Sequence, residues 1–147
     1  MNKLLGSGKY IVVTNLMGIL RYLPNTKLYK NKIIDINKDM DIDRDDFINK
    51  LFDLGYEKKP VVSRTGEMAI RGYVIDIFPI EFDNPIRIEF WGDTIDSIKY
   101  FDLEDQISNT SVDSVKIYPY TEFLIDGKMG DNICLLYTSD AADDLTR

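Results

Sequence analysis

The sequence predicts an α+β fold, a mainly antiparallel sheet with one or two packed helices, and two observations carry that prediction. One stretch, "DIDRDDFINKLFDLGY", holds a capped helical period; from Lys58 onward, short runs of strand-forming residues recur between turn-forming pairs. Turns this short favour antiparallel neighbours, and helices set beside such a sheet make an α+β architecture.

Taken in order, "KYIVVTNLMGILRYLP" opens with a strand of buried character at residues 10–13. Leu16, Ile19, Leu20 and Leu23 follow at helix-like spacing, stopped before Pro24. "NKIIDINKDM" reads as a second strand. In the main helix Asp43 suits the N-cap, Asp45 and Asp46 favour the positive end of the dipole, and Gly55 suits the position just past the end. Phe47, Leu51 and Leu54 share its core face. The strands expected after it are "KPVVSR", "EMAIRGYVIDIFP", "PIRIEFW", "DSIKYFD" and "DSVKIYPY". Their breaks are Arg64-Thr65-Gly66, Asp83-Asn84-Pro85 and Gly92-Asp93.

Composition narrows the function classes. The chain has 147 residues, 44% hydrophobic and 29% charged, which is ordinary for a soluble globular protein. No apolar run approaches the ~20 residues of a membrane helix, and the start is too polar for a signal peptide, so the expectation is a cytoplasmic protein with no membrane partner. One cysteine and no histidine argue against a disulfide framework and a zinc site, and the lack of a histidine base argues against a nucleophilic triad. A net charge of −7 argues against gripping DNA unaided, since that affinity comes from Lys and Arg on phosphates. "GSGKY" resembles the end of a phosphate-binding loop but lacks its leading glycine and the Ser or Thr after the lysine. The last residues, "CLLYTSDAADDLTR", follow neither period; they match a translated sequencing adaptor, and residues 134–147 are expected to be read-through within a tail of residues 127–147.

The informative stretch is "GEMAIRGYVIDIFPI", read as one long strand with an Arg-Gly pair at its middle. Alternation puts Met68, Ile70, Val74 and Phe78 on the core side, with Glu67, Arg71 and Tyr73 opposite unless Gly72 resets the phase. In "PIRIEFW", Ile86, Ile88 and Phe90 face the core, and Arg87, Glu89 and Trp91 face away. Paired, the two strands gather Arg71, Tyr73, Arg87, Glu89 and Trp91 on one face, with Gly72 allowing a bend or the approach of another backbone. Arg, Tyr and Trp are the types enriched at binding hot spots. The competing reading pairs Arg71 with Glu67 and Arg87 with Glu89 and packs Trp91 inside the chain's own fold.

Three stretches carry a family resemblance: "LGYEKKPVVSRTGEMAIRGYVIDIFPI", "NPIRIEFWGDTIDSIKYFDLEDQIS" and "SVKIYPYTEF". Together they resemble the excinuclease-A-binding module shared by bacterial transcription-repair coupling factors and the excinuclease B subunit. Leu54 to Tyr56, Gly66-Glu67 and the run from Phe101 to Ser108, with its Gln106, favour the coupling factors. The resemblance places the module at residues 33–126, after the edge of a preceding domain at residues 1–32, and makes the chain a fragment. It implies docking onto the excinuclease A subunit through Arg71, Arg87, Glu89 and Trp91, the last standing where the family usually has Phe. It also implies that ATP and magnesium, RNA polymerase and DNA are handled by other parts of the parent translocase, so that this stretch binds without cofactor or catalysis. Two alternatives are a small hydrolase using Asp76, Glu89 and Asp93, and a clamp in which the same face covers another domain of the parent.

Overall fold

The computed structural model describes residue 9, residues 11–20, residues 25–121 and residue 124. The expected tail of residues 127–147, including 134–147, Leu23, and most of the "GSGKY" loop lie outside the described residues. Helices α1 (Leu16–Leu20), α2 (Thr26–Asn31) and α3 (Arg44–Asp53) combine with strands β1 (Ile34–Asn37), β2 (Glu57–Lys58), β3 (Glu67–Arg71) and β4 (Val74–Ile77). Four more strands follow: β5 (Ile86–Trp91), β6 (Thr94–Phe101), β7 (Ser108–Ser111) and β8 (Ser114–Ile117). Helices beside mostly antiparallel strands make this the α+β fold that the sequence predicts.

Helix α3 forms for the reasons visible in its residues. The Asp43 carboxylate accepts the Asp46 amide at 2.7 Å, and Asp45 and Asp46 occupy the first turn. At the other end the Tyr56 amide reaches the Leu51 carbonyl at 3.1 Å and the Gly55 amide the Phe52 carbonyl at 2.9 Å. That is a Schellman closure, and Gly55 supplies its left-handed residue at φ +89°. A side chain there would also strike Thr121, so glycine is required twice over.

Strands β2 to β7 form one sheet in sequence order, antiparallel except for the short parallel pair β2–β3, while β1 and β8 pair antiparallel as a separate ribbon. The ribbon's Ile36, Val115 and Ile117, helix α3's Phe47, Leu51 and Leu54, and the sheet's Met68, Ile75, Ile77, Ile86, Ile88, Phe90, Ile95 and Ile98 fuse into one core. Phe47 stacks obliquely on Phe90 with ring centroids 6.0 Å apart. Ile95 and Ile98 are both buried although three apart, because the register shifts opposite Glu89 and Phe90 and leaves Asp96 as an extra residue.

Several expectations are corrected. The long strand is a hairpin: Arg71 pairs with Val74 across a two-residue loop. The loop resets the alternation, so Ile75 and Ile77 join Met68 in the core, whereas Phe78 packs in a second cluster with Val62, Ala69 and Phe101. Residues 11–13 are exposed coil rather than a buried strand, since no described strand offers them a ladder. "KPVVSR" is not a strand: the two-residue β2 ends just before it, and residues 59–64 run as a loop that buries Val62. Helix α2 and the polar strand β7, "SNTS", have no periodic signal and escape sequence reading.

Leu51 lies wholly within the core, so Leu51→Ala should cost about 2–5 kcal/mol through lost burial and the cavity left behind. Urea unfolding followed by far-UV dichroism measures it.

Candidate functional site

The site occupies the sheet face away from the main core, and register assembles it. Asp76 on β4 stands opposite Arg87 on β5 and Ala69 on β3, while Val74 stands opposite Glu89 and Arg71. One half of this face is closed by the cluster of Val62, Ala69, Phe78 and Phe101 with Leu103 against it. The half nearer the hairpin tips stays open.

At the boundary sits Asp76, 1% exposed. Its Oδ1 accepts from Arg87 Nε at 2.8 Å and its Oδ2 from Arg87 Nη2 at 3.1 Å, a fork-to-fork pair. Arg71 Nη2 donates to the same Oδ2. The Arg87 guanidinium lies over the Phe101 ring at 4.6 Å, and its Nη1 donates to the Gln106 carbonyl at 3.2 Å and Ser108 Oγ at 3.4 Å. Gln106 adopts φ +61°, which turns that carbonyl toward the arginine. With 15% of its side chain exposed, Arg87 is an internal brace joining β4, β5 and the loop into β7.

Arg71 differs. Its side chain is 47% exposed, and Asp76 is its hydrogen-bond partner. The two arginines therefore converge on one buried acid, and the pairings Arg71–Glu67 and Arg87–Glu89 do not form. Glu67 instead accepts from the Ser63 amide and hydroxyl, both at 2.9 Å, and from Arg64 Nε at 3.1 Å. Glu89 accepts from Lys99 Nζ at 2.8 Å and Ser97 Oγ at 2.5 Å.

Two aromatics complete the open half. Trp91 is 83% exposed beside the tip loop of β5–β6, and Tyr73, in the tip loop of β3–β4, is 65% exposed. Gly72 opens that loop at φ +58°, the position where a type II′ turn calls for glycine. Nothing in the described chain lies within 4 Å of a Cβ placed on Gly72, so within this fold the glycine serves the conformation of the turn. Both tips point the same way and are stitched to the segment entering α3. Ile42 donates its amide to the Asp93 carbonyl at 2.8 Å, Thr94 its hydroxyl to Asp41 at 2.5 Å, and Arg44 Nη2 donates to the Gly72 carbonyl at 2.5 Å.

The hydrolase alternative loses its acids here. Asp76 is sealed between arginines and Glu89 is held by Lys99 and Ser97, so neither is poised for proton transfer. A cavity of ≈ 570 Å³ opens elsewhere, among Ile34, Met40, Ile42, Lys50 and Leu54, and none of the three acids lines it. Among the described residues no group of three acidic or sulfur side chains is placed to hold a metal ion. No described helix is long and apolar enough to cross a membrane.

Of the six residues singled out from sequence, the structure brings Tyr73, Trp91, Arg71 and Gly72 to the hairpin tips and places Arg87 and Glu89 behind them. Sequence reading missed Asp76 as the centre of the face. The available signal was an acid flanked by two isoleucines in a strand, "VIDIF", with an arginine in the next strand to answer it.

A small α+β module that turns the rim of its sheet outward, rather than folding it around a cavity, is the class these features define. The chain belongs to the UvrB interaction domain family, whose signature matches residues 34–123. It is 39% identical over 118 residues to a transcription-repair-coupling factor of Staphylococcus haemolyticus strain JCSC1435, 80% of this chain and 10% of that protein. It is 40% identical over 118 residues to the one from Staphylococcus aureus strain USA300, again 80% of this chain and 10% of that protein. To the one from Bacillus subtilis strain 168 it is 37% identical over 124 residues, 84% of this chain and 10% of that protein. The chain thus spans about one tenth of the length of the curated relatives it matches.

Two expectations follow from the pairing. Arg87→Ala should cost about 3–5 kcal/mol in urea unfolding, because a sealed carboxylate loses its forked partner, whereas Arg71→Ala should cost about 1 kcal/mol. For Glu89, the hydrogen bonds from Lys99 and Ser97 hold the carboxyl below its ordinary 4.5, against the upward push of burial. A carboxyl lowered in the folded state adds stability above its unfolded value and loses it as pH falls through the folded one. Unfolding free energy should therefore decline as pH drops below about 4.5, with a shallower slope in Glu89→Gln.

Proposed function

We propose that this module is a docking element of a transcription-coupled DNA repair factor and seats the excinuclease A subunit on its hairpin tips. The observation that carries the reading is Trp91, a large indole left 83% exposed on the same open sheet rim as Arg71 and Tyr73. An isolated apolar side chain on a surface needs no explanation, but Trp, Tyr and Arg clustered on one rim have the composition of a binding hot spot. Membership of the UvrB interaction domain family supports the same role, and the coupling-factor relatives support that parent over the excinuclease B subunit. Trp91 fills an apolar pocket on the partner and Arg71 takes a partner carboxylate, while Arg87 and Glu89 hold the platform. Docking of this kind uses no cofactor and no catalysis by this stretch. ATP hydrolysis, polymerase displacement and DNA tracking then belong to other parts of the longer protein.

Titration calorimetry of purified excinuclease A subunit against the chain tests this. Trp91→Ala should weaken binding by about 2 kcal/mol or more, roughly thirtyfold, with the far-UV spectrum unchanged. Unaltered affinity in both Trp91→Ala and Arg71→Ala would remove the reading.

A further inference from the structure

Resting on the docking reading, we infer that Asp76 is a positioning residue for recognition: it holds the Arg71 guanidinium ready to receive a carboxylate from the partner. Asp76 does not need Arg71 for its own sake, since Arg87 already meets both its oxygens, at 2.8 and 3.1 Å. The added bond from Arg71 instead restrains a half-exposed side chain that would otherwise sample many rotamers.

Charge points the same way. Two guanidiniums around one carboxylate leave a surplus of one positive charge. The neighbouring acids do not cancel it, because Glu89 is matched by Lys99 and Glu67 by Arg64. Arg87 is enclosed, so the surplus is presented at Arg71, on a chain whose net charge is −7. Among the described residues no hydrogen bond engages Arg71 Nε or Nη1, and one of them together with the second N–H of Nη2 remains for a two-pronged grip on a partner carboxylate. Freezing the arginine in the free protein removes an ordering cost that binding would otherwise incur. Asp76 thus acts on the partner only through Arg71.

Purified excinuclease A subunit is titrated against the unsubstituted chain, Trp91→Ala, Arg71→Ala, Asp76→Asn and the Arg71→Ala/Asp76→Asn pair. Asp76→Asn keeps the shape and removes the charge. Arg71→Ala and Asp76→Asn should each weaken binding about tenfold, and the double variant should bind no more weakly than Arg71→Ala alone. Losses that multiply, or an Asp76→Asn chain that binds normally while Trp91→Ala is impaired, would overturn the positioning role and leave docking intact. Silence in both Trp91→Ala and Arg71→Ala would instead remove the docking reading and this inference with it. Should Asp76→Asn not fold, nitrogen-15 spectra of the unsubstituted chain decide: separate Nη1 and Nη2 resonances for Arg71 support a held guanidinium, and one averaged resonance overturns it.

Discussion

A carboxylate sealed from water must be neutralised where it sits, and in this fold that carboxylate is Asp76. Removing one ion from solvent costs several kcal/mol, and only forked, hydrogen-bonded partners offset it. Arg87 supplies the fork, and the geometry of Arg87 then dictates what surrounds it. Phe101 lies under its plane, the Gln106 carbonyl turns toward it from a left-handed residue, and Ser108 adds its hydroxyl. Three strands and the loop entering β7 are drawn to one point by a single acid. Hydrophobic packing holds the opposite face of the same sheet, where isoleucines from β4, β5 and β6 meet α3.

This division of labour explains why one face is half closed and half open. Near Phe78 and Phe101 the face has apolar residues of its own and a loop to cover them. Toward the hairpin tips the side chains are charged or aromatic, and no segment of the described chain lies over Tyr73 and Trp91. The tips themselves are firm, because the segment entering α3 bonds to both of them through Ile42, Asp41 and Arg44. A rim that is exposed yet braced can present hot-spot residues without a large ordering cost on binding.

The helix was legible residue by residue, since its N-cap, acidic first turn, buried face and closing glycine are all local features. The core face of β5 was legible for the same reason: alternation within one strand needs no knowledge of neighbours. The "RG" stretch was not. Its residues alternate well enough to pass for one strand, and whether Gly72 continues that strand or turns it depends on which partner Arg71 finds. The two-residue turn shifts every following side chain to the opposite face, which is how Val74 and Phe78 were exchanged for Ile75 and Ile77. Strand β7 had no pattern to detect, because an edge strand of Ser, Asn and Thr is ordered by its neighbour rather than by its own burial.

By itself the sequence determined what is local or compositional: an α+β fold, an acidic chain without histidine, a capped helix, and a family pattern naming arginines and an aromatic. Tertiary structure alone decided how those arginines are used. Cross-strand register places Asp76 against Arg87, and the hairpin turn brings Arg71 to the same carboxylate from the other side. Register is a relation between segments distant in the chain, and electrostatic pairing acts across space. Which charge meets which was therefore settled only when the strands came together.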